Sequence, residues 1–67
     1  MKMNENILKS VWNCAKRDFD TFFMLDDIIY NLRNISESDI KYAFYKLVGD
    51  SKFLEIKGVP NLYRISQ

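Results

Sequence analysis

The sequence predicts an α+β domain, mainly α, with three helices, a short strand between the first two, and a C-terminal two-stranded β-hairpin. Three observations carry this expectation. Apolar residues recur at helical spacing in three separate segments. Ser36-Glu37-Ser38-Asp39 marks the start of a helix. Two short strand-like runs close the chain around Gly58-Val59-Pro60-Asn61.

In the first segment Ile7, Leu8, Val11, Trp12 and Ala15 share one face, and Lys9, Asn13, Lys16 and Arg17 the opposite one. This spacing predicts an amphipathic helix over residues 5–17. Asn4 or Asn6 suits its N-cap, and Lys16-Arg17 its negative C-terminal end. The following stretch is too short for another helix before Asp26-Asp27, and its Thr21-Phe22-Phe23 core has strand propensity, so a short strand beside the hairpin is expected. Asp26-Asp27 opens the second helix with acids at its positive end. Leu25, Ile28, Ile29, Leu32 and Ile35 are its inward positions, and its end is expected near Asn34. The third helix starts at the Ser36 N-cap and runs to about Val48, with Ile40, Ala43, Phe44 and Leu47 inward. Gly49 is expected to supply the left-handed residue that ends it. The hairpin pairs residues 52–57 with 62–66, and Pro60-Asn61 suits the centre of its tight turn.

One domain over residues 1–67 accounts for the whole sequence, which has no repeat, low-complexity tract or linker. A chain this short buries only about 60% of the surface its unfolded form exposes, so its core must be dense. With 48% hydrophobic residues and one Trp, four Tyr and five Phe, the composition suits that demand. No run approaches the roughly 18 apolar residues of a membrane span. Residues 1–6 lack a signal peptide's apolar run, so an intracellular, cytoplasmic protein is expected.

The composition also narrows the chemistry. Ten Lys and Arg against nine Asp and Glu give a net charge of +1, so any nucleic-acid binding must come from local patches rather than a global field. The absence of His removes the commonest general base and the usual zinc ligand, and the lone Cys14 excludes an internal disulfide. The acidic pairs Asp18 with Asp20 and Asp26 with Asp27 have no evident pocket to shift their ionisation, and helix-start charge explains the second pair more simply. No glycine-rich phosphate loop, Ser-His-Asp set or metal-ligand cluster is present. The sequence therefore points away from an enzyme, a cofactor, a metal or a small-molecule substrate.

Two helices separated by a Ser-capped turn, then a glycine and a hairpin, resemble the winged helix-turn-helix DNA-binding family. The resemblance runs from Leu25-Asp26-Asp27-Ile28 through Ser36-Glu37-Ser38-Asp39-Ile40 and Ala43-Phe44-Tyr45-Lys46-Leu47-Val48 to Phe53-Leu54-Glu55-Ile56 and Leu62-Tyr63-Arg64-Ile65. It covers about two-thirds of the chain, and residues 21–23 fit the family's usual first strand. It implies a sequence-specific binder of double-stranded DNA, a transcriptional regulator, with the third helix in the major groove and the wing on the backbone. Carried over by position, the recognition candidates are Ser38, Lys41, Tyr42, Tyr45 and Lys46. On or beside the wing, Lys52, Lys57 and Arg64 are placed to meet phosphates and Asn61 to donate hydrogen bonds. The chain departs from a strong DNA-binding pattern in two respects. Glu37 and Asp39 bring negative charge to the start of the third helix, and that helix has no Arg, the side chain of the commonest specific base contact.

Each of these residues has a plainer reading beside the functional one. Tyr42 and Tyr45 either meet a ligand or lie half-buried along the helix flank. Lys9, Asn13, Lys16 and Arg17 either touch phosphates or form a solvated face. Trp12 either covers the core or protrudes into a homodimer contact. Cys14 is expected as a small buried hydrophobe rather than a redox switch. The alternative function is a protein-interaction module, such as a viral or mobile-element inhibitor or a subunit of a larger complex. Tyr42, Tyr45, Tyr30, Glu37 and Asp39 would then form the interface.

Overall fold

The computed structural model describes residues 5–19 and 21–66. It is an α+β domain of three helices followed by an antiparallel hairpin: α1 (Glu5–Asp18), α2 (Leu25–Asn31), α3 (Glu37–Gly49), β1 (Phe53–Glu55) and β2 (Tyr63–Ile65). The Asn4 cap and the Asp20 half of an acidic pair lie outside the described residues. Among the described residues no helix is long and apolar enough to cross a membrane.

The helices turn inward the faces that their spacing predicts. On α1, Val11, Cys14 and Ala15 are buried, Ile7, Leu8 and Trp12 pack partly against the core, and Lys9, Asn13, Lys16 and Arg17 are exposed. On α3, Ile40, Ala43, Phe44 and Leu47 are buried, and α1 is its principal packing partner. The short α2 buries Ile28 and rests Leu25, Ile29 and Leu32 on the same core.

An aromatic cluster joins the helices to the hairpin. Phe53 sits 4.8 Å from Phe23, 5.2 Å from Phe44 and 5.8 Å from Trp12 between ring centroids, and Tyr63 meets Phe44 edge-on at 4.9 Å. Phe23, Phe44 and Phe53 are fully buried. Each such ring contributes about 1.5–3 kcal/mol by leaving water, which is how so short a chain closes a core.

Helix ends follow local chemistry. Ser36 has extended backbone, and its Oγ accepts the Asp39 N–H at 3.3 Å, the N-cap bond expected for α3. At α2 the cap is Met24, whose N–H donates to Asp27 Oδ2 at 2.9 Å. The second helix stops at Asn31 rather than near Asn34. Leu32 has already left helical geometry, and the Ile35 N–H closes a turn onto the Leu32 carbonyl at 2.9 Å.

The C-terminus of α3 corrects the expectation for Gly49, which lies within the helix and does not have positive φ. The left-handed residue is Ser51, at φ 64°. Its N–H donates to the Val48 carbonyl at 3.0 Å and the Lys52 N–H to the Leu47 carbonyl at 2.9 Å. This pair of bonds is a Schellman cap with Ser51 in the position that glycine usually fills.

The paired strands are three residues each, shorter than expected, in the register Phe53↔Ile65, Leu54↔Arg64 and Glu55↔Tyr63. Bonds from the Ser66 N–H to the Lys52 carbonyl and from the Ile56 N–H to the Leu62 carbonyl extend the ladder by one step at each end. The connecting loop makes two turns rather than one. Ile56-Lys57-Gly58-Val59 and Val59-Pro60-Asn61-Leu62 are each closed by a bond from the last N–H to the first carbonyl, at 3.1 and 3.4 Å. Gly58 and Asn61 hold positive φ at the third position of each turn, the demand of a type II turn. The expected strand over residues 21–23 narrows to a single bridge, Phe23 to Tyr63.

Candidate functional site

The face of α3 opposite Ile40, Phe44 and Leu47 is exposed to solvent. Ser38, Lys41, Tyr42, Tyr45 and Lys46 line one open, shallow concavity of about 550 Å³ there. All five recognition candidates are thus brought together, because residues three and four apart on a helix share a face. Tyr42 is 57% exposed and Tyr45 51%, so neither ring is absorbed into the core.

The two lysines of this face differ. Lys41 Nζ lies 3.3 Å from Glu37 Oε2 one turn earlier, an exposed pair worth little to stability that nevertheless draws the ammonium toward the helix start. Lys46 has no acidic partner among the described residues.

Tyr45 also lines a second, smaller concavity of about 160 Å³ with Met24, Leu25, Asp26, Asn61 and Tyr63. Of the hairpin candidates, Asn61 is therefore the one brought to α3. Its position is fixed by Glu55, whose Oε2 accepts the Asn61 N–H at 2.9 Å across the loop. The remaining three are exposed on the hairpin. Lys57 lies in the loop, Arg64 pairs across from Leu54, and Lys52 sits at the open end. There the Lys52 ammonium lies 6.0 Å from the Trp12 ring centroid, and Lys16 lies 5.4 Å from the same ring. Lys52 thereby joins the basic stripe of α1.

Trp12 covers the core, stacked on Phe53 with 24° between ring planes. No large hydrophobic side chain of α1 is exposed among the described residues, so a homodimer built on that helix would have little apolar surface to use. Cys14 is buried, and that burial pushes its thiol above its ordinary value, outweighing a hydrogen bond from Asn31. The geometry thus favours an inert core thiol over an activated one.

Sequence reasoning did not identify Glu55, Met24 and Asp26 as part of this surface. For Met24 a signal was present: in extended chain Phe22 and Met24 point to one side and Phe23 to the other, and Phe22 and Met24 are indeed exposed while Phe23 is buried. No protein-family model, curated protein or solved structure matches the chain.

Proposed function

We propose that the chain is a winged helix-turn-helix module that binds double-stranded DNA as a transcriptional regulator, with α3 in the major groove and the hairpin as its wing. The observation that carries this reading is the single exposed face formed by Ser38, Lys41, Tyr42, Tyr45 and Lys46 on a helix whose other face is locked into the core. An α-helix about 10–12 Å across fits a major groove about 12 Å wide. Lys46, Lys57 and Arg64 then meet phosphates, and Asn61 lies beside the helix to donate hydrogen bonds. Fluorescence anisotropy with a mixed-sequence duplex across a salt series tests the reading. Micromolar binding that weakens steeply with salt and is reduced by Tyr45→Ala and Lys46→Ala supports it. No binding at about 50 mM salt, where phosphate contacts are strong, would overturn it.

The second reading places a protein partner on the same face. It is favoured by the Glu37–Lys41 pair and by the two half-exposed tyrosines, since a mixed-sign aromatic surface suits a protein interface. A photo-crosslinking residue at position 42 distinguishes the two by whether it captures duplex or protein.

A further inference from the structure

We infer that the exposed face of α3 recognises thymine through the C5 methyl group that this base displays in the major groove. The inference rests on the duplex-DNA reading above and specifies which base that face selects.

In the major groove Arg or Lys reads guanine and Asn or Gln reads adenine. Arg, Asn and Gln are all absent between Glu37 and Gly49, which leaves Lys41 and Lys46 as the purine-reading side chains of this helix. Of the two lysines that face outward, Lys41 is drawn toward Glu37. At the centre of the face lie instead two aromatic rings, Tyr42 and Tyr45, each more than half exposed and one helical turn apart. Together with Ser38, Lys41 and Lys46 they line one shallow concavity. The apolar group on a major-groove base edge is the thymine methyl, and the neighbouring thymine O4 accepts a hydrogen bond. A tyrosine matches both features, with ring against methyl and phenolic O–H toward O4. Lys46, with no acidic partner among the described residues, supplies beside the rings the positive charge that holds such a face against a phosphate-lined groove.

The test alters the DNA and leaves the protein intact. Sites are first enriched from duplexes with a randomised central segment. The enriched duplex is then resynthesised with deoxyuridine replacing thymidine one position at a time, which removes only the methyl. Thymine at one or two positions of the enriched site is expected, with binding about fourfold weaker for each critical methyl removed, matching the ~0.8 kcal/mol of one buried methyl-sized group. Tyr42→Ser or Tyr45→Ser should abolish that discrimination while leaving the far-ultraviolet dichroism unchanged, since both rings lie outside the core. Equal affinity for thymidine and deoxyuridine duplexes would overturn the thymine inference and leave DNA binding standing. Absence of any duplex binding would overturn both.

Discussion

Phe23 and Tyr63 exchange both of their backbone hydrogen bonds, at 2.9 and 2.8 Å. Tyr63 is thereby paired on two sides, with Glu55 across one edge and Phe23 across the other. β2 becomes the central strand of a sheet whose third member is one residue long, and the segment between α1 and α2 is tied to the hairpin. The Tyr63 ring is held against Phe44, so its phenol ionises inside a packed environment.

That environment predicts alkaline sensitivity. Burial first, then the negative charge of Glu55 and of an ionised Tyr45, pushes the Tyr63 phenol above its ordinary 10.0. Burial likewise pushes the Cys14 thiol above 9.0. In both cases the unfolded chain loses its proton at a lower pH than the folded one, so stability is full below about pH 9 and falls as pH rises past each unfolded value. Urea midpoints at pH 7, 9 and 10.5 should decline across the last interval, less steeply in Cys14→Ala and Tyr63→Phe. A midpoint that holds steady to pH 10.5 would contradict the burial argument.

The end of α3 predicts two stabilising substitutions. Gly49 is helical, and a Cβ there would meet nothing within 4 Å, so Gly49→Ala should add roughly 0.5–1 kcal/mol by helix propensity and reduced unfolded-state freedom. Ser51 occupies left-handed backbone, so Ser51→Gly should also raise the thermal midpoint by removing the steric cost of a Cβ in that region. A destabilised Gly49→Ala would restore the sequence-based reading, in which Gly49 is the left-handed residue.

Removing Phe53 should be far more damaging. Its ring is fully buried among Trp12, Phe23 and Phe44, and a Phe→Ala change in such a site costs about 3–5 kcal/mol. A chain of this length has only about 3–10 kcal/mol in total. Phe53→Ala should lose a large share of that stability, with a urea midpoint far below the parent's and the red shift of Trp12 emission reached at lower urea; an unchanged midpoint would show that the cluster matters less than its geometry implies.

Releasing Lys41 separates the two functional readings. Glu37→Gln removes the carboxylate 3.3 Å from Lys41 Nζ and one negative charge from the leading end of α3. If α3 enters DNA, duplex affinity should rise roughly two- to fivefold at low salt, in line with the modest energies of exposed charge pairs. Unchanged or weaker DNA affinity would count against that placement.

The Glu55 contact predicts a local effect. With Glu55→Ala the Asn61 N–H loses its 2.9 Å acceptor, so its hydrogen exchange should accelerate while amides of α1 exchange as before. Unaltered exchange at Asn61 would show that the two turns hold the loop without the carboxylate.

Helix faces were legible in the sequence because burial repeats with the helical period, and Ile40, Ala43, Phe44 and Leu47 follow it without exception. The five α3 surface residues followed from the same wheel by complement. What escaped were features set by backbone conformation or by contacts across a loop. Ser51 has no side-chain signature for positive φ, so the nearby Gly49 drew the assignment. Met24 serves as a helix cap through its backbone while Asp27 supplies the chemistry, which no N-cap preference for Ser, Thr, Asn or Asp would pick out. Glu55 acquires its role only once the loop turns twice and returns Asn61 to it.

The Schellman cap has a mechanical consequence. From Gly49 to Phe53 the chain runs through only three residues, and hydrogen bonds back to Lys46, Leu47 and Val48 hold every one of them. The result is a short elbow without slack, in which helix and hairpin keep a fixed angle and phase. An extra residue placed between Ser51 and Phe53 would have nowhere to bulge at the ladder's first step, and shifting the strand by one position would turn Phe53 out of the core and Leu54 into it. The corner should therefore tolerate a change of side chain at Asp50, Ser51 or Lys52 better than a change of chain length.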